Sequence, residues 1–349
     1  MLAIRLRALG DVVLTTPALR ALHRGHPARP LDVLTDERYV GLLRGLPGVE
    51  RVIGLRRGRG AMFEAIGAVR RRRYGTVIDF FGNPRSAALT ALSGARDTYG
   101  YDVRGRRYAY RRRIPRDAPV VQGRREYAAA THVRLARAAG GVDAGLHAHV
   151  VVGDEARAEA ERLLRAAGIA TPERAIGLVA AGTWGTKTWP ASHAGWLARE
   201  LTAGGREVLL LTGPGEERVT RVVRELAPAT AVVPPCDVPA LAAVIARLAG
   251  VIGTDSGPRH LAAALGRPTF AWFGPTNPDN WTPPGDHGVW WAPIPCRGCN
   301  LTSCPHWICL PSLDPREAAR LVREHFEHPR APFAPDLHAP ADLGPAARA

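Results

Sequence analysis

Short apolar runs alternate with amphipathic stretches from one end of the chain to the other, and this alternation limits the possible folds more than any other feature. A run of three to five apolar residues suits a strand covered on both faces, and each intervening stretch is long enough for a crossover helix. That is the pattern of a parallel sheet. In the first half, strands are read at 2–6, 31–35, 52–55 and 76–80, with helices at 13–24, 64–73, 86–93 and 127–139. Pro17 requires a kink in the first helix, or a start there with Thr16 as cap. In the second half, strands are read at 175–179, 207–211, 231–233, 251–253 and 269–273, with helices at 155–167, 194–203, 216–226, 238–249 and 260–265. The expectation is two doubly wound α/β domains, 1–160 and 161–328, with the crossing between 145 and 175. The Pro- and Ala-rich stretch 329–349 reads as a disordered tail.

The 349 residues suffice for two such cores. No run approaches the roughly 18–20 apolar residues of a membrane span. Arg5, Arg7 and Asp11 interrupt the opening stretch, which argues against a signal peptide and for a cytoplasmic protein. In that setting the five cysteines are thiols or metal ligands rather than disulfides. The formal charge of +15 is unevenly placed: residues 1–150 hold 28 Arg against 12 Asp and Glu, while residues 151–349 hold 19 Lys and Arg against 20 Asp and Glu. The excess gathers at Arg56, Arg57 and Arg59, at 70–73, at Arg104, Arg106 and Arg107, at 111–113, and at Arg124 and Arg125. Such a half attracts an anionic lipid or glycan, a nucleic acid or an anionic membrane face, although part of the excess reads simply as solvated surface.

One cation differs from all the others. Lys187, in Gly185-Thr186-Lys187-Thr188-Trp189-Pro190, is the single lysine among 47 Lys and Arg residues. An ammonium is a compact, mobile point charge suited to a phosphate that becomes a leaving group, so Lys187 reads as a phosphate ligand. The alternative is one surface lysine left over in an arginine-rich composition.

In open parallel sheets, ligands bind beyond the carboxyl ends of the strands. Four loops lie at such ends: 8–11, 182–189, 212–216 and 254–258. In the last of these, Ser256 and Gly257 precede a helix and offer backbone N–H groups to an anion, while Asp255 suits sugar hydroxyls. Helix capping is the competing reading for Asp255 and Ser256. Glu216 suits ribose hydroxyls, or simply a favourable charge in a first helical turn. Asp11 can accept a proton from an attacking hydroxyl, or cap its helix. Neither G-x-G-x-x-G nor a P-loop occurs, which argues against a hydride-transfer enzyme or an ATPase.

These loops together resemble glycosyltransferase family 9, the ADP-heptose lipopolysaccharide heptosyltransferases. The resemblance rests on 4–19 (IRLRALGDVVLTTPAL), 77–86 (VIDFFGNPRS), 186–190 (TKTWP), 255–264 (DSGPRHLAAA) and 273–278 (FGPTNP), and runs from residue 2 to about residue 325. It implies a GT-B fold, two Rossmann-like domains facing across a cleft with the sugar nucleotide on the second. It also implies an inverting transfer with no cofactor or metal essential to catalysis, and no Asp-x-Asp motif stands at the donor loops. By matching position, Asp11 becomes the base, and Lys187 with the amides near Ser256 and Gly257 binds the diphosphate. Thr186, Glu216, Asp255 and His260 complete the donor site, and Asn83 and Arg85 face the acceptor. The expected partners are a nucleotide-sugar donor and an anionic glycolipid at the inner membrane face, with no nucleic acid.

The segment 296–309 carries Cys296, Cys299, Cys304 and Cys309, a density that suits a structural zinc or iron–sulfur site or else a local staple of unmetallated thiols. Two other function classes stay open at this stage. One is a sugar-nucleotide epimerase or hydrolase on the same architecture; the other is a nucleic-acid-binding protein, although the arginine clusters lack interleaved stacking aromatics.

Overall fold

The computed structural model describes residues 1–327 except 59, 119, 121 and 122; Arg59 and the proposed tail 329–349 lie outside the described residues. The chain forms two parallel six-stranded sheets, each covered by helices. The first lobe runs β1 (Leu2–Ile4), α1 (Leu9–Gly25), β2 (Leu31–Asp36), α2 (Val40–Leu43), β3 (Val49–Leu55), α3 (Ala61–Arg71), β4 (Thr76–Asp79), α4 (Pro84–Leu92), β5 (Asp97–Tyr101), β6 (Arg112–Ile114) and α5 (Ala128–Ala138). The second runs α6 (Asp154–Ala166), β7 (Ile176–Val179), α7 (Ala191–Ala203), β8 (Val208–Leu210), α8 (Glu217–Leu226), β9 (Ala231–Val232), α9 (Val238–Arg247), β10 (Gly250–Thr254), α10 (Gly257–Ala264), β11 (Thr269–Phe273), α11 (Pro278–Trp281), β12 (His287–Trp291) and α12 (Pro315–Glu327).

The strand orders are β3-β2-β1-β4-β5-β6 and β12-β11-β10-β7-β8-β9, so the two lobes repeat one topology. Each sheet reverses its winding at its centre, between β1 and β4 and between β7 and β10. At such a reversal the outgoing loops diverge and open a crevice. The central strands are buried along their whole length, as a sheet covered on both faces requires.

Several sequence readings need correction. The first helix begins at Leu9 and passes through Pro17 without a restart at Thr16. Pro17 has no N–H for the Val13 carbonyl; the Thr16 hydroxyl donates to that carbonyl instead, at 2.8 Å. A boundary at residue 160 would cut α6, which is one continuous helix packed on α9 of the second lobe. The division therefore falls before Asp154, after a segment tied to the first lobe through Val142 N–H to Ala21 O and Val151 N–H to Leu42 O. β5, β6 and β12 were not read as strands, because Asp97–Tyr101, Arg112–Ile114 and His287–Trp291 contain no continuous aliphatic run.

The lobes meet where α1 and α10 point their N-termini at one another. A Cβ on Gly10 would lie 2.7 Å from His260 Cδ2, and one on Gly257 would lie 3.0 Å from Leu9 side-chain atoms. Both positions need glycine for this approach. Because His260 is 4% exposed and cannot retreat into solvent, Gly10→Ala is expected to cost about 1–3 kcal/mol or to part the lobes. A lowered melting temperature together with a raised KM for the donor would register it.

Candidate active site

A cavity of about 480 Å3 lies between the lobes, lined by residues 8–11 of the first and by loops following β7, β8 and β10 of the second. Asp11, Lys187, Glu216, Asp255, Ser256, Gly257 and His260 all line it, so residues dispersed over 250 positions share one chamber. The N-termini of α1, α8 and α10 converge there, and their unpaired N–H groups favour an anionic ligand.

Asp11 sits in the first turn of α1, and its Oδ1 accepts a 2.7 Å ion pair from Arg5 Nη2. Arg5 is itself buried within the sheet, donates Nη1 to the Phe80 carbonyl and lies over the Phe81 ring. The guanidinium fixes one carboxylate oxygen. Oδ2, whose protein contact is a long 3.4 Å bond from Ala8 N–H, is left for a reacting hydroxyl.

Opposite stands Lys187, at the end of a short 3-10 turn after β7. Trp189 anchors that turn: its ring is fully buried 4.3 Å from Trp272, and its Nε1 donates to Leu310 O at 3.1 Å. Lys187 Nζ lies 2.7 Å from Asp255 Oδ2 and between the rings of Trp184 and Trp281, at 5.4 and 5.9 Å. Asp255 Oδ2 also accepts from Thr276 Oγ1 at 3.0 Å, and its Oδ1 lies 3.7 Å from His260 Nε2. Burial alone would raise the Asp255 pKa, but the Lys187 charge, His260 and Arg259 outweigh it and hold the carboxyl far below the usual range. For His260 burial wins over Asp255 and lowers its pKa, leaving the neutral ring facing Asp255 at pH 7.

Because Asp255 binds its proton more weakly in the folded chain than in the unfolded one, its contribution to stability is complete above the ordinary aspartate pKa of about 3.9 and fades as pH falls below it. Melting temperatures from pH 6 down to pH 3 should therefore drop less steeply for Asp255→Asn than for the parent chain. Parallel curves would show that this carboxyl is not the source of the acid sensitivity.

Glu216 caps α8 and accepts from Gly213 N–H at 3.1 Å; burial raises its pKa. Among the described residues, Ser256 Oγ, Trp184 Nε1 and His260 Nδ1 are buried with no protein partner, so an entering ligand can engage them. Thr186 stands beside Lys187 in the 3-10 turn. It is not part of the cavity lining, and its hydroxyl donates to Leu301 O at 2.7 Å, making it a strut for the cysteine segment. Asn83 caps α4 through Ser86 N–H at 2.8 Å, and Arg85 is exposed in the same turn; neither lines the chamber, although both follow the carboxyl end of β4 beside β1.

Arg5, Trp184, Thr276 and Trp281 were not singled out from sequence. A charge inside the apolar run 2–6 was the one available signal, for Arg5. Trp281 is held from behind by Arg259, which is 1% exposed and donates Nη1 to the Trp281 carbonyl at 3.0 Å. α11 is also tied to the first lobe, through Asn280 Nδ2 to Glu126 O at 2.8 Å.

Of the four cysteines of 296–309, Cys296 and Cys299 are exposed, Cys304 is half-buried and Cys309 is buried. Among the described residues, no group of three or more His, Cys, Asp or Glu side chains is placed to hold a metal. Hydrogen bonds fasten the segment, from Trp307 Nε1 to Thr186 O and from Trp189 Nε1 to Leu310 O, as do Leu310 and Leu313 in the core.

Twin parallel lobes with a basic–acidic chamber at their crossover points define the GT-B architecture. Residues 62–304 match the model of glycosyltransferase family 9 (heptosyltransferase). The chain is 30% identical to lipopolysaccharide heptosyltransferase 1 of Pseudomonas aeruginosa, over 93% of this chain and 92% of that one. It is 29% identical to lipopolysaccharide heptosyltransferase 1 of Escherichia coli K12, over 80% and 88%. The crystal structure of a family 9 glycosyl transferase from Veillonella parvula superposes with a TM-score of 0.79 at 21% identity, covering 93% of this chain and 96% of that one. E. coli heptosyltransferase WaaC with ADP superposes with a TM-score of 0.67 at 25% identity, covering 93% and 97%. The chain belongs to glycosyltransferase family 9.

Proposed function

We propose that this enzyme transfers a heptose from an ADP-activated donor to a hydroxyl of a lipopolysaccharide core acceptor, with inversion and without a metal essential to catalysis. The observation that carries this reading is the placement of Asp11 and Lys187 in one chamber, on opposite lobes. Asp11 Oδ2 takes the acceptor proton as its oxygen attacks the anomeric carbon. The bond from that carbon to the diphosphate breaks, and the electron pair leaves with the diphosphate. Negative charge then grows where Lys187 and the α10 amides lie, so these groups stabilise the transition state more than the ground state. Asp255 aims Lys187, keeping Oδ1 for a sugar hydroxyl, and Glu216 meets the ribose. The chain's similarity to lipopolysaccharide heptosyltransferases and to WaaC with ADP supports the sugar, the nucleotide and the acceptor.

The test is ADP release from ADP-heptose with and without a lipid A core acceptor, with product stereochemistry read by NMR. Acceptor-dependent release with inverted configuration supports the proposal. Equal release without acceptor would assign the chamber to hydrolysis, and conversion of the donor to an epimer without ADP release would assign it to epimerisation. Glu216→Ala should raise the donor KM about tenfold with kcat nearly unchanged, since it removes binding shared by ground and transition states.

A further inference from the structure

We propose that the indole N–H of Trp184 binds an oxygen of the donor's diphosphate, a role that rests on the chamber being the nucleotide-sugar site proposed above. Trp184 precedes the 3-10 turn Gly185–Lys187 and lines the chamber. Its Nε1 is buried and, among the described residues, has no hydrogen-bond partner. Trp189, Trp291 and Trp307 each donate from Nε1 to a backbone carbonyl, those of Leu310, Gly274 and Thr186. Trp272 Nε1 is also unpaired, but its ring is packed in the core and lines no part of the chamber. A buried N–H that forgoes its hydrogen bond is destabilising, and a ligand that supplies the acceptor removes the penalty. At Trp184 the adjoining space is the one a ligand enters.

The surroundings of that N–H select the diphosphate over the rest of the donor. Lys187 Nζ lies 5.4 Å from the centroid of the Trp184 ring and 5.9 Å from that of Trp281, so the indole and the cation that meets the leaving group share one wall. Asp255 already engages Lys187 at 2.7 Å and offsets part of its charge. A diphosphate presents several anionic oxygens, and further donors must replace the water that it sheds. The indole supplies one without a positive charge that would repel Lys187, and a bond to an anionic oxygen is stronger than one to a neutral hydroxyl. Ser256 Oγ, buried and unpaired at the start of α10, supplies another from a separate loop. Trp184 is held in place before any ligand arrives. Its carbonyl accepts from Lys187 N–H at 3.0 Å and from Thr188 Oγ1 at 3.4 Å, and the Thr188 hydroxyl accepts from Gly182 N–H at 3.1 Å. A Cβ on Gly182 would lie 2.6 Å from Lys187 Cβ, so the loop closes tightly on itself. Little ordering is left to oppose binding.

The experiment is calorimetric titration of the full chain and of Trp184→Phe with ADP and with adenosine. Phenylalanine keeps an aromatic ring beside Lys187 and removes the N–H. Trp184 lies outside the hydrophobic clusters of both lobes, so the variant should melt near the parent temperature. Trp184→Phe should bind ADP about tenfold less tightly, and adenosine, which has no phosphate, within about twofold of the parent. The unchanged adenosine affinity also shows that the chamber is intact. An equal loss for both ligands assigns the ring to the nucleoside and overturns the proposal, as does an ADP affinity equal to that of the parent. A parent chain that binds ADP no more tightly than adenosine overturns the donor reading itself and this role with it. A parent that prefers ADP, beside a Trp184→Phe chain with the same preference, overturns the role of Trp184 alone.

Discussion

Asp11→Asn is expected to lower kcat by about 10^3-fold while leaving ADP affinity within about twofold. The amide has nearly the shape of the carboxylate but cannot take the acceptor proton, and Asp11 lies on the lobe opposite Lys187 and Asp255. The substitution also strips Arg5 of its ion partner at 2.7 Å, but the Asp11 side chain is 30% exposed, so solvent screens much of that loss. Stopped ADP release with retained ADP binding by calorimetry is the predicted signature. Arg5→Met probes the same carboxylate from behind: kcat should fall less than for Asp11→Asn, because the base is still present but no longer held. If Asp11→Asn turns over at the parent rate, proton removal belongs to another group.

How much of this was legible in the sequence depends on what each residue answers to. The central strands were readable because a strand buried on both faces is mostly apolar, as in Val77-Ile78 and Val251-Ile252. Edge strands answer to a weaker constraint. β6 is Arg-Arg-Ile because solvent lies on one side of it, and no periodicity marks it. In the site, Lys187 stood out as the single lysine of the chain, and Asp11 and Asp255 as carboxylates in loops at the carboxyl ends of strands. Their supports did not. Thr276 reaches Asp255 across 21 positions, and Arg259 reaches the Trp281 carbonyl across 22, so these contacts are products of the fold rather than of local pattern. The partner of the Thr186 hydroxyl, Leu301, lies 115 residues away and was hidden for the same reason. The cysteine spacing did not by itself decide between a metal site and a staple of thiols, since spacing along the chain does not fix how ligands meet in space.

Lys187 and Asp255 allow structural support to be separated from catalysis. The two side chains are 12% and 3% exposed and lie 2.7 Å apart, so Lys187→Ala leaves a buried carboxylate without its main cation. Losing one partner of such a pair costs about 3–5 kcal/mol, so a large drop in melting temperature is expected. Activity should fall too, by about 10^2–10^3-fold in kcat, because the charge facing the departing diphosphate is gone. Lys187→Met/Asp255→Asn removes both charges and keeps similar volume, so most of the lost stability should return. The rate should not return with it, since a thioether offers nothing to a developing phosphate charge. Thermal melts and single-turnover ADP release on the parent, the single variant and the double variant give the required comparison. If activity recovers along with stability in the double variant, Lys187 is a structural counter-ion, and the leaving group must be stabilised by the α10 amides alone.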